Sequence, residues 1–226
     1  MSTSTGRRKR IQAGAGRRRL VLTAAVPLVL VAAGVVGLRW NAGHGGDTFE
    51  VAHAGVSKGT TGHAYRVEVE EDSGLDPDEA AAEVASVLAA PRGWAHGGEQ
   101  SFRQVDDASA GLVIRIATPG TTDRICAKSG LNTHGEVNCR VGTDVMVNLK
   151  RWTKGSPEFH GPLAEYRALI INHEVGHWLG HGHETCPGKG RPAPAMMQQI
   201  DGLKGCVANA WPYDGHGRYL GGPPVP

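Results

Sequence analysis

The string His173-Glu174-Val175-Gly176-His177-Trp178-Leu179-Gly180-His181-Gly182-His183 carries three imidazoles and a carboxylate at spacings that suit one zinc ion. Residues four apart share a helix face, so His173 and His177 can both point at one metal. Glu174 sits about 100° further round, where its carboxylate reaches a metal-bound water without ligating the ion. Gly180 is placed to end the helix with φ > 0 and turn the chain, which returns His183 to the same ion. Three neutral nitrogens and an open fourth position make a catalytic rather than a structural zinc site. At this chain's own His and Gly content an accidental full match arises in roughly 2 of 10⁴ sequences, so chance does not explain it.

The helix enters from the left. Pro162 after Gly161 is a first-turn signal, and Tyr166, Leu169, Ile170, His173 and His177 recur at spacings of three and four. The ligand face therefore continues a buried apolar stripe. Beyond a Gly-rich loop, Pro192-Ala193-Pro194-Ala195-Met196-Met197-Gln198 sets paired methionines beside prolines, which alone reads as core filler.

The long motif with a downstream methionine resembles the metzincin clan of zinc metallopeptidases, in which a Met-containing turn forms a hydrophobic base under the metal. The resemblance implies His173, His177 and His183 as zinc ligands, Glu174 as general base and acid, and Met196 or Met197 as the turn methionine. Glu184, directly after the third His, matches astacin-like members, where that residue is structural. Gln198 and Gln199 stand two residues after the methionines, where astacins have a tyrosine, so the oxyanion stabiliser is unassigned. The stretch from Tyr65 to Trp211 also resembles an uncharacterised metzincin-like domain of membrane-tethered actinobacterial proteins. Pro91-Arg92-Gly93-Trp94, Arg151-Trp152, Tyr166-Arg167, Asn172-His173-Glu174 and Met197-Gln198-Gln199 carry that likeness, which implies a fold but no substrate.

Three neutral imidazoles leave a zinc ion its full charge, which lowers the pKa of a bound water from about 15.7 toward about 7. Glu174 would take the water's proton and later return it to the leaving amine. Metal-assisted hydrolysis follows from the motif, and a peptide or protein substrate from the resemblance. Two alternatives stay open: a catalytically inactive binding module at the cell surface, against which the intact Glu174 argues, and a zinc amidase acting on cell-wall peptides.

The N-terminus bears on location. Arg7-Arg8-Lys9-Arg10 and Arg17-Arg18-Arg19 precede an uncharged run from Leu20 to Leu38, close to the ~20 residues that a membrane span needs. The positive-inside rule puts residues 1–19 in the cytoplasm and everything after Trp40 outside. A cleaved signal peptide is the rival, but Val36-Gly37-Leu38-Arg39 offers no small-x-small site, so residues 20–38 read as an uncleaved single-pass anchor. Of the formal charge of +2, the seven basic residues before Leu20 supply +7, which leaves −5 for the exported part and no nucleic-acid footprint.

Residues 39–62 are rich in Gly, His and Thr and read as a flexible linker, with His44, His53 and His63 taken as solvated. Residues 63–220 form the catalytic domain and 221–226 a tail. All four cysteines lie in the exported part, where disulfides persist, and the two local pairings are expected: Cys126 with Cys139 and Cys186 with Cys206. Strands are expected at 65–70, 102–105, 112–117 and 145–149, with a poorly defined edge strand in the 126–139 region. A helix opens at Asp76-Pro77-Asp78-Glu79 and ends before Pro91. The fold class is α/β (α+β), and the resemblance implies a twisted mixed sheet backed by two helices, the second bearing the zinc ligands.

Overall fold

The computed structural model describes residues 48–225. The basic arm, the apolar run at 20–38 and the first part of the linker lie outside the described residues. Among those described, no helix is long and apolar enough to cross a membrane.

A mixed sheet of six strands is the frame: β1 (Phe49–Val51), β2 (His63–Glu70), β3 (Phe102–Gln104), β4 (Leu112–Ala117), β5 (Cys139–Val141) and β6 (Asp144–Asn148). Its order is β1-β2-β4-β6-β5, with β3 also on β2. Strands β2, β4 and β6 run parallel, while β1 and β5 are antiparallel to their neighbours. The described residues form four α-helices: α1 (Pro77–Leu88) and α2 (Pro119–Ala127) lie between strands, and α3 (Leu149–Lys154) and α4 (Leu163–Trp178) follow β6.

Alternation divides the sheet into two faces. Tyr65, Val67 and Val69 of β2, Leu112, Ile114 and Ile116 of β4, and Val145 and Val147 of β6 point into the main core. There they meet Ala80, Val84, Val87 and Leu88 of α1 and Leu169, Ile170, Ile171 and Val175 of α4. The opposite face is charged at its centre: Glu68 accepts from Arg66 at 2.7 Å and from Arg115 at 2.5 Å, and Arg115 also donates to Asp144. Beside it, Ala117, Met146, Cys126 and Cys139 form a smaller apolar cluster under α2.

Local chemistry fixes the helix starts. Asp76 caps α1 by accepting from the Asp78 and Glu79 amides at 2.8 and 3.1 Å, and Pro77 fills the first turn, as the sequence predicts. The Glu70 carboxylate reaches across to the start of α2, accepting from the Thr118 amide and the Thr121 hydroxyl, each at 2.5 Å. These partners explain why Glu68 and Glu70 are buried although the period-2 pattern puts them on the solvent side.

Several expectations need correction. Phe49–Val51, inside the expected linker, is an edge strand, because its amides and carbonyls pair with Val51↔Glu68 and Phe49↔Glu70 in register. His63 is not solvated linker: it opens β2, bonds Gln100 at 2.6 Å and meets Trp178 edge-on. The 126–139 region is largely not strand. Cys126 lies in the last turn of α2, whose Pro-Gly-Thr-Thr start shows no apolar period, and only Cys139 onward is extended. Leu149 begins α3 rather than ending a strand, since Asn148 caps the helix by accepting from the Lys150 amide. Four helices stand where two were expected to back the sheet, although α1 and α4 do supply its main apolar cover.

Candidate metal centre and cleft

Helix α4 carries His173, Glu174 and His177, and its C-terminal end performs the turn expected of Gly180. Leu179 closes the helix, Gly180 adopts φ +97°, and the His181 amide returns to the Gly176 carbonyl at 2.9 Å. A side chain at Gly180 would meet nothing within 4 Å, so glycine serves backbone conformation there, not packing. The turn brings His183 back beside the helix. Its Nε2 lies 3.1 Å from that of His177, and the His173 Nε2 lies 3.2 Å from the same atom. Among the described residues this triad is the one cluster of potential metal ligands, with one donor atom of each residue within 4.8 Å of the others.

Carbonyl partners fix the tautomers. His173 Nδ1 faces the Ala195 carbonyl and His177 Nδ1 the His181 carbonyl, each at 2.9 Å. A carbonyl only accepts, so both Nδ1 atoms carry the proton and both Nε2 atoms present lone pairs. The His173 and His177 lone pairs, 3.2 Å apart, repel one another unless a cation or a proton lies between them. Burial pushes His173 down to about 3, with His177 adding to the effect, and burial also lowers His177 and His183. Burial pushes the Glu174 carboxyl up to about 8, against the pull of Arg140.

The segment after the loop underlies the site. The Met197 amide donates to the Pro194 carbonyl at 3.0 Å, and the Met196 carbonyl accepts from the Glu184 amide at 3.1 Å. This turn therefore holds both His173, through Ala195, and the residue after His183. The two methionines divide the work. Met197 lines the cleft, whereas Met196 is fully buried beneath α4. A Cβ on Gly176 would lie 2.3 Å from Met196 Sδ and 2.8 Å from Trp94 Cζ2, so the helix approaches this support only because residue 176 has no side chain. Gln199 is buried and ties the turn down, donating to the Pro194 and Asn209 carbonyls and accepting from the Asn209 amide.

Glu184 has the structural role its position suggests. Its two oxygens accept from the Tyr219 hydroxyl and the Gly222 amide, each at 3.0 Å. Within the expected tail 221–226, residues 221–225 are accordingly not loose: the Val225 amide donates to the His183 carbonyl at 2.9 Å and the Thr185 amide to the Pro223 carbonyl at 2.8 Å. Trp94 stacks on His181 at 4.3 Å between centroids and donates through Nε1 to the Asn172 carbonyl, which fixes the turn from its other side. Both expected disulfides are present. Cys186–Cys206 closes a loop that follows His183 and contains the Met turn, and Cys126–Cys139 anchors β5 to α2.

In front of the triad lies a cleft of about 390 Å³. Glu174, Tyr166, Leu169 and Ile170 of α4, Met197 to Ile200, and the 131–140 segment including Arg140 line it. That last wall is pinned by charge and covalency: Arg151 and Lys150 both hold the Glu136 carboxylate, and Arg151 Nε donates to the Glu136 carbonyl at 2.7 Å. Arg140, Gly176, Trp94 as a ring under His181, and Tyr219 were not singled out from sequence as site residues. A glycine in the middle of a helix, at a cost of about 1 kcal/mol relative to Ala, was the available signal for Gly176; nothing comparable marks the carbonyls of Ala195 and His181.

No match was found among curated proteins or among solved structures. One family model does match, over residues 41–214, and its description is a protein of unknown function, DUF3152. Since that span covers most of the sequence and includes all three histidines and Glu174, the chain belongs to the DUF3152 family.

Proposed function

We propose that this protein is a zinc-dependent metallopeptidase of metzincin type, tethered to the membrane by residues 20–38 with its catalytic domain outside the cytoplasm. The observation that carries the metal reading is the convergence of Nε2 lone pairs, with Nδ1 of both helical histidines committed to carbonyls. The spacing fits: tetrahedral zinc with Zn–N bonds of about 2.0–2.1 Å separates its nitrogens by roughly 3.3 Å, against 3.1–3.2 Å here. An all-imidazole set on a preorganised helix favours zinc over the hard cations that prefer oxygen.

When bound, zinc supplies an acidified water and an electrophile for a carbonyl oxygen. The remaining chemistry belongs to the chain. Glu174, next to His173 but directed into the cleft, takes the proton of the attacking water on a carboxylate oxygen and delivers it to the departing nitrogen. The Ala195 and His181 carbonyls keep the imidazoles in one tautomer and orientation. Strand β5 pairs with β6 along one edge only, so its other edge, bordering the cleft, can take an extended peptide as an added strand.

Two disulfides outside the reducing cytoplasm accord with export. Elemental analysis of protein purified without chelator should find about one zinc per chain, and His177→Ala should lose most of it. Wild-type protein that contains no zinc and takes up none on titration would count against the reading.

A further inference from the structure

Among the described residues lining the cleft, Arg140 is the one permanent cation and Glu174 the only carboxylate. Its place follows from β5. Cys139 turns inward to its disulfide, so the next residue points to the other side, where it is exposed beside the free edge of the sheet. Nη1 donates to the Gly142 carbonyl at 2.8 Å, which orients the guanidinium without neutralising it. No carboxylate pairs with it among the described residues.

The rest of the cleft is mostly apolar or uncharged. Leu131, Val137, Leu169, Ile170 and Met197 would reject an anion that found no partner, because burying an unpaired carboxylate is costly. A guanidinium held by one N–H keeps the others for a planar, bidentate acceptor. We propose that Arg140 is a specificity-determining residue that binds a carboxylate of the substrate, either an acidic side chain or a free C-terminus near the scissile bond. This rests on the peptidase reading for the substrate's backbone, but not for the carboxylate.

The test uses full-length, zinc-loaded protein and peptides in matched pairs: Glu against Gln and Asp against Asn at successive positions, and free-acid against amide C-termini. Hydrolysis is read as kcat/KM, and binding as fluorescence anisotropy with Glu174→Gln, which removes turnover. One acidic series should exceed its amide partner about 10- to 100-fold, the range of a charge-assisted hydrogen bond; which series does so separates side chain from C-terminus. Arg140→Gln should bring the acid-to-amide ratio close to one, and Arg140→Lys should restore part of it. Equal binding and hydrolysis of acid and amide peptides by wild type would overturn the inference. So would an Arg140→Gln loss equal for both, which would place Arg140 on the reaction's developing charge instead. Hydrolysis of no peptide would count against the peptidase reading, while the anisotropy ratio would still decide the role of Arg140.

Discussion

Replacing Gly176 by Ala tests how the helix bearing His173 and His177 is supported. Two effects oppose each other. In a helix interior Ala is favoured over Gly by about 1 kcal/mol. The new Cβ, however, would stand 2.3 Å from Met196 Sδ and 2.8 Å from Trp94 Cζ2, both on buried side chains. Overpacking of a filled core costs roughly 1–3 kcal/mol, and two contacts this short place it at the upper end. The net destabilisation is then about 1–2 kcal/mol, a fall in Tm of roughly 2–8 °C for a domain of this size. Thermal and urea unfolding of zinc-loaded protein measures it, within a double-mutant cycle against Met196→Ala. Because truncating Met196 opens the space that the new methyl needs, the double variant should be more stable than the sum of the single effects by about 1 kcal/mol or more. A Gly176→Ala protein stabilised by the full helix-propensity gain, or a strictly additive cycle, would refute the close packing of Met196 under α4.

Glu184→Gln should cost about 1 kcal/mol, since the amide keeps one acceptor but loses the charge that strengthens the bonds from Tyr219 and Gly222; turnover per zinc-loaded molecule should be unchanged, as chemical unfolding and steady-state kinetics on the same sample would reveal. Topology is accessible by reporter fusion. An enzyme that works only outside the cytoplasm, fused after residue 62, should be active, and the chain should sediment with membranes; a shortened chain in the medium would establish cleavage instead.

The parts of the site that depend on side chains at helical spacing were legible. His173, His177, Gly180 and His183 follow from 3.6-residue geometry and one left-handed turn, and both disulfides from short separations. Less could be read where backbone or distant chain does the work. The carbonyls of Ala195 and His181 have no residue signature, since any residue supplies one. Residues 221–226 carry little apolar content and read as a tail, yet Pro223 and Val225 bind the His183 loop through their backbone. Strand β1 was hidden in a Gly- and His-rich stretch because three residues are too few for a period to show. Helices α2 and α3 are short, and tertiary contacts with Glu70 and Glu136 stabilise their surroundings more than any amphipathic pattern does. The packing of Met196 was equally hidden, because the missing side chain of Gly176 gains its meaning only once Met196 is seen beneath it.

Hydrolysis of a broad peptide library by wild type and Glu174→Gln, with zinc content measured on the same preparations, tests the central claim most directly. Glu174 is buried beside His173 and directed into the cleft, so the substitution removes a proton carrier and leaves the three imidazoles in place. Equal zinc in both proteins, with hydrolysis falling about 10²–10⁴-fold in Glu174→Gln, is the predicted result. Peptide hydrolysis by Glu174→Gln at the wild-type rate, or a zinc-loaded, folded wild type that cleaves nothing, would contradict it.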